Sequence, residues 1–300
     1  MSLLRILAHK PESSLLLTAE ISPPRLYQEM DRIVGIARRL RALGLDAIAV
    51  TNSTGGSYKF SPWAIVEDIQ RAMSHVPLII HLTARDEGSA RSVYYHLHEM
   101  SLKGVRDVLI IRGDPSPGNS KLFDSYRFTT TQLTEMVAGY GAGRLLDGSD
   151  SEPLRDLDIF AAAHPEYPER ALGKHFDFLK RKIEAGTNAL ISNIVTDIDS
   201  FGRYRDQADK SGIKVPIFPS LLPLASVRRC EFLAEELRIP VPAAIIEGLR
   251  GKDRDSAHAI GVDGMRHSLE RLRRLGVRAA NFNVILPSDA DAVVEVVGQM

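Results

Sequence analysis

Cysteine is nearly absent from this 300-residue chain. Cys230 stands alone, so no intrachain disulfide can form and a reducing, cytoplasmic setting is the expectation. Neither sign of charge dominates. Lys plus Arg and Asp plus Glu number 38 each, and the missing basic excess argues against nucleic acid or an anionic membrane as principal partner. A local positive pocket for a phosphate stays compatible with that balance. No run approaches the roughly 20 apolar residues a membrane-spanning helix needs. The opening MSLLRILAHKPES holds only a short apolar stretch with no small-residue cleavage site, so no signal peptide is read. The spacings HExxH and CxxC do not occur, and no metal is expected. A Ser or Cys nucleophile elbow, a low-complexity tail and a domain linker are missing too. What remains, 44% apolar and 25% charged, is ordinary for a soluble globular protein with a sizeable core.

What is present is a repeated event. An apolar run ends, and a polar or charged residue stands at its exit: Glu20 after LLLTA, Thr51 after DAIAV, His81 after PLII, Arg112 and Asp114 after DVLII, His164 and Glu166 after IFAAA, Asn193 after NALIS. The runs recur roughly every 30 residues, about one strand plus one crossover helix. Strands are expected near 15–21, 45–51, 77–83, 107–113, 158–163, 188–194, 215–221 and 279–286. They are apolar almost throughout, as suits a parallel sheet buried on both faces. Between them lie helical patterns. Ile33, Ile36, Ala37, Leu40 and Leu43 share one face, with Gly44 at the capping position. Eight such units predict a (β/α)8 TIM barrel forming one domain over residues 1–300. Its polar strand exits converge at the C-terminal face, where barrel active sites are built. Two stretches break the rhythm: a long active-site connection over about 115–156, expected to hold the helix TTTQLTEMVAG plus a loop able to close over a site, and an extra segment over 239–260.

Each exit residue carries a chemical reading beside a plainer one. Glu20 precedes Ser22-Pro23-Pro24, a rigid turn that would hold the carboxylate still. An apolar surround would raise its pKa into the range useful for a general acid; a solvated strand-end acid is the equal alternative. In Arg112-Gly113-Asp114 the glycine admits a ligand to the backbone, the guanidinium can hold a phosphate and the carboxylate can order a polar heterocycle. A local Arg–Asp surface pair is the plain account. Lys180-Arg181-Lys182 reads first as a solvated helix face, and His81 as a hydrogen-bonded core histidine. Gly139-Tyr140-Gly141-Ala142-Gly143 follows a helix and opens none, so it is not a dinucleotide loop.

Taken in order, TAEISPPR, AVTNSTGG, IIHLTARD, LIIRGDPSPG, AAAHPEYPE, LKRKIEAGTNALISNIVTDIDSFGRYRD and GIKVPIFPSLLPL resemble the methylenetetrahydrofolate reductase family. The match runs from about residue 18 to 224, with weaker likeness around LGVRAANF. The resemblance implies a barrel that holds FAD, takes hydride from NADH or NADPH and reduces 5,10-methylenetetrahydrofolate. By position, Glu20 matches the family's general acid and Asp114 the acid near flavin and pterin. Thr51, His81, Arg112, Gly113, His164, Glu166 and Lys182 fall in segments that line the flavin. Asn193 stands where the family has Gln as a pterin contact, and Phe232 matches an aromatic that stacks on the substrate. The departures are Ile21-Ser22 in place of two aromatics, His164 in place of Tyr, and NFNVILPS near the last strand. The partner implied is a small-molecule folate, together with a homo-oligomer or a complex with a partner subunit. The competing readings are a flavin-independent reductase of the same substrate, and a folate-binding subunit or paralogue whose electrons come from a partner.

Overall fold

The structure, a computed structural model, describes residues 1–73, 75–118 and 124–300. Eight strands, β1 (Leu16–Ile21), β2 (Ala47–Val50), β3 (Leu78–Thr83), β4 (Asp107–Ile111), β5 (Asp158–Ala163), β6 (Ala189–Ile194), β7 (Ile217–Leu221) and β8 (Ala279–Asn283), close in sequence order into a barrel. Neighbouring strands pair in parallel, and β1 pairs with β8 to seal it. This is the expected (β/α)8 barrel. Among the described residues no helix is long and apolar enough to cross a membrane.

Alternation along each strand sorts its side chains. In β2, Ala47 and Ala49 point into the barrel while Ile48 and Val50 pack outward against helices. The interior floor is Leu16, Ile79, Leu109, Phe160, Phe218 and Ala279, with Phe160 and Phe218 edge to face. The outer shell is a ring of amphipathic helices: α2 (Met30–Ala42), α3 (Pro62–Ala72), α4 (Ala90–Leu102), α5 (Thr130–Gly141), α6 (Glu169–Glu184), α7 (Ile198–Lys210), α8 (Val227–Glu235), α9 (Ala243–Leu249), α10 (Arg254–Arg274) and α11 (Pro287–Val297). Local chemistry starts several of them. Ser61 caps α3 with Pro62 at its first position, and Ser89 and Thr129 form capping boxes with Ser92 and Gln132.

One short helix escaped the sequence reading. Residues Leu3–His9, here α1, plug the barrel floor with Leu3 and Leu7. No side chain of its own caps it. Instead Asp107 and Asp158, at the starts of β4 and β5, accept from the amides of Leu3 (2.8 Å) and Leu4 (2.7 Å).

Two boundary expectations change. The last strand stops at Asn283: the Val284 amide makes one more bond across the seam, to the Glu20 carbonyl, and Pro287 opens α11 shortly after. The segment 239–260 holds α9 and the first turns of α10. The long connection 115–156 holds the expected helix as α5. Residues 119–123 of it lie outside the described residues, and α5 carries the chain from the barrel mouth to the opposite end. There Arg144 bridges Asp150, far from the strand C-termini.

Candidate active site

At the C-terminal face the barrel opens into a cavity of about 1080 Å³. Its lining includes Glu20, Thr51, His81, Arg112, Gly113, Asp114, His164, Lys182 and Asn193, so nearly every exit residue singled out from sequence arrives in one place. Glu166 stands behind His164 and is bonded to it. Phe232 does not join them: it sits on α8, 51% exposed, outside the cavity lining.

The floor of the cavity is polar in two tiers. In the lower tier the Thr18 hydroxyl donates to Asn281 Oδ1 (2.8 Å), and Asn281 Nδ2 donates to the Ser220 hydroxyl (3.1 Å). Above it stand Glu20, His81 and Asn283. Burial pushes the Glu20 carboxyl up to about 7, and the amides of Asn283 and Asn281 pull it partly back. Burial alone drives the His81 imidazole down to about 3, so it is neutral at working pH. His81 Nε2 lies 3.8 Å from Glu20 Oε2 and has no hydrogen-bond partner among the described residues. At that distance, with burial favouring both uncharged forms, this is a contact of neutral groups and not an ion pair. A carboxyl largely withdrawn from water, 20% exposed, that exchanges its proton near neutrality is what general-acid chemistry needs.

One wall is built from the loops after β2, β3 and β4. Arg85, 2% exposed, ties them together: its guanidinium donates to Asp86 (2.7 Å) and to the Asp114 carbonyl (2.8 Å). Asn52 donates to Asp86 (2.8 Å) and to the Thr83 hydroxyl (3.0 Å). Asp114 Oδ2 accepts from the Gly55 amide (2.9 Å), which aims that carboxylate along the cavity edge. Gly56 makes the close approach possible. Its φ is +67°, and a Cβ there would lie 2.0 Å from the Pro115 carbonyl oxygen. Thr51 donates to Ser22 (2.9 Å), and the Arg112 guanidinium lies 5.0 Å over the Tyr126 ring.

The facing wall comes from β5, β6 and α6. His164 Nδ1 and Asn193 Nδ2 both bond Glu166 Oε1, each at 2.9 Å. Burial pushes Glu166 up, but the His164 and Asn193 bonds prevail and hold it below the usual carboxylate range. Asn193 Oδ1 accepts from the Ile194 amide (2.9 Å), so both ends of its carboxamide have protein partners. His164 stacks on Tyr167 with ring centres 4.8 Å apart. On α6 the basic triplet splits by helical phase. Lys182 is buried at 4% exposure and lies 4.6 Å over the Phe178 ring, whereas Arg181 turns to solvent. Burial lowers the Lys182 ammonium to about 8, with no carboxylate among the described residues countering it.

Sequence reasoning missed Asn281, Asn283, Ser220, Arg85 and Tyr126. The alternation Asn281-Phe282-Asn283 at the end of β8 was the available signal, since it turns two amides inward, one at the tier of Thr18 and one at the tier of Glu20. Arg85 gave none, because a buried arginine is not distinguishable in sequence from an exposed one.

Fold and site define a (β/α)8-barrel protein with a deep binding cavity and a proton-exchanging carboxyl at its base. The profile of the methylenetetrahydrofolate reductase family matches residues 5–298, and the chain belongs to that family. Proteins named 5,10-methylenetetrahydrofolate reductase from Salmonella typhimurium and Escherichia coli are 26% identical over 270 and 267 residues, covering 88% of this chain and 83% of each relative. Methylenetetrahydrofolate reductase (NADH) 1 of Arabidopsis thaliana is 23% identical over 244 residues, covering 79% of this chain and 40% of that protein. Among solved structures, an uncharacterized protein from Clostridium thermocellum that binds two copies of 5-methyl-5,6,7,8-tetrahydrofolic acid superposes with a TM-score of 0.65 at 15% identity. The superposition covers 99% of this chain and 98% of that one, a likeness of fold.

Proposed function

We propose that this protein reduces 5,10-methylenetetrahydrofolate to 5-methyltetrahydrofolate, with NADH or NADPH as hydride donor and non-covalent FAD as cofactor. The observation that carries the reading is Glu20. It is the acid at the base of the cavity, its side chain 20% exposed and its carboxyl raised to about 7, in a chain of this reductase family. The substrate's five-membered ring opens when the departing ring nitrogen is protonated, and Glu20 supplies that proton. Its O–H bond breaks, an N–H bond forms, and the carboxylate left behind regains a proton from solvent. His81, neutral and buried beside it, adds no charge that would discharge the acid early.

The residues present fit FAD. A cavity of about 1080 Å³ exceeds the ~300–1,000 Å³ of ordinary single-ligand sites, leaving room for a dinucleotide and a second molecule. Lys182 and Arg112 line it as cations suited to phosphates, and the buried Glu166 Oε2 lacks a donor that a ribityl or ribose hydroxyl would supply. Asp114, anchored by the Gly55 amide, is placed to order the polar heterocycle. When bound, the flavin supplies two-electron hydride acceptance and delivery.

The test is the absorbance spectrum of purified protein, followed by anaerobic titration with NADH and NADPH and then addition of the folate. Flavin absorbance that NAD(P)H bleaches and the folate restores is expected. Full folate reduction by flavin-free protein, unstimulated by added FAD, would instead establish direct hydride transfer. Folate binding without any NAD(P)H oxidation would make the chain a binding subunit.

A further inference from the structure

We infer that Asn283 is the positioning residue for the Glu20 proton, its carboxamide standing across the β1–β8 seam to stabilise the carboxylate that forms when Glu20 acts. The inference rests on the reading of Glu20 as the acid. Register places the two together, since Glu20 and Asn283 are direct partners on adjacent strands. The backbone there is pinned, because the Val284 amide donates to the Glu20 carbonyl (2.9 Å) and Phe282 is fully buried on the outer face.

The two inward amides of β8 differ in what they do. Asn281 is held at both ends, by Thr18 and by Ser220, so its conformation is settled within the protein. Asn283 lines the cavity, and its Oδ1 is buried without a partner among the described residues. A buried acceptor left unpaired disfavours the fold, and such groups in native proteins ask for an explanation. Glu20 supplies one. A protonated Glu20 can donate its O–H to that oxygen, and an ionised one can accept from the amide N–H, a pairing that lowers the carboxyl's pKa against the burial that keeps the proton on. With an apolar residue at this position Glu20 would stay protonated well past neutrality, and the carboxylate left after each proton transfer would be poorly tolerated.

The groups facing Glu20 from the surrounding strands leave Asn283 as the natural control point. His81 on β3 is neutral. Ala49 and Thr51 on the β2 side, Ser220 on β7 and Asn281 on β8 do not titrate. Beyond β1, Lys59 donates to Ser22 (2.6 Å) and, with Arg25 beside it, is the nearest cation of that loop. Asp114 and Lys182 stand on the cavity walls.

The experiment compares wild type, Glu20→Gln, Asn283→Leu and Asn283→Ser by infrared titration of the protonated-carboxyl band and by the pH profile of folate reduction. Glu20→Gln identifies the band by its loss. In wild type the band and the alkaline limb of activity should both titrate near 7. In the Asn283 variants both should move upward by about one unit, the usual scale of an environmental shift. Asn283→Ser keeps a small polar side chain and carries the test if the leucine variant folds poorly. A band that titrates at the wild-type pH in both Asn283 variants overturns the inference and leaves the proposed function standing. Folate reduction that survives Glu20→Gln removes Glu20 as the acid, and the infrared titration still decides whether Asn283 sets its proton affinity.

Discussion

Glu20→Gln separates stability from function. The folded carboxyl titrates at about 7 against an ordinary value of 4.5, so the native state binds the proton more tightly than the unfolded chain does. Stability therefore falls as pH rises from about 4.5 to about 7 and is level above it. The shift corresponds to an upper limit of about 3 kcal/mol of stability lost in wild type across that window. Glutamine does not titrate and keeps the shape, so the variant escapes the loss. His81 contributes with the opposite sign, its lowered pKa making stability rise with pH between about 3 and 6.5, but it is present in both proteins and cancels in the difference. Urea denaturation at pH 5 and pH 8.5 reads the effect. The variant should gain about 2–3 kcal/mol on wild type between the two pH values, while folate reduction falls about 10²–10⁴-fold. A difference in stability independent of pH would refute the claim that Glu20 is a largely desolvated, proton-holding acid.

Two further outcomes follow from the walls of the cavity. Lys182→Met removes an ammonium whose pKa burial lowers to about 8; wild-type stability should rise between about pH 8 and 10.5, and the variant should not show that rise. The same variant should lose flavin on dialysis, with Kd weakened about tenfold or more, as for a lost charge-assisted hydrogen bond of ~1.5–3 kcal/mol. Retention equal to wild type, read from the flavin absorbance of the dialysed protein, would place the phosphates elsewhere. Gly56→Ala adds a Cβ 2.0 Å from the Pro115 oxygen at a φ of +67°, which should destabilise by about 1–3 kcal/mol and displace Asp114's loop. Calorimetry would show Tm lowered by several degrees, and an unchanged Tm would mean the β2 and β4 loops do not dock as described.

Much of the fold was legible because it rests on local and periodic signals. Apolar runs at a spacing of one strand plus one helix specify parallel β/α units, and eight of them close into a barrel. Parallel strands all leave the sheet at one edge, which is why Glu20, His81 and Asp114, standing at strand exits, could be assigned to one mouth from sequence. Helical phase also separates Lys182 from Arg181. The α1 plug was not legible, since its amides are capped by Asp107 and Asp158 from strands far along the chain.

What the amino-acid order determined by itself was the set of polar groups delivered to the barrel mouth. Tertiary structure alone decided what each one does there. Asn193 lines the cavity with its carboxamide held by Glu166 and the Ile194 amide, Phe232 stays on an outer helix, and Arg85 binds three loops from a position that sequence leaves unmarked. Glu20 shows the reason most clearly. Its proton affinity is set by the water that β3 and β8 exclude and by two amides at the end of the last strand. Desolvation and hydrogen bonding are properties of the packed surroundings, and no window of sequence around residue 20 contains them.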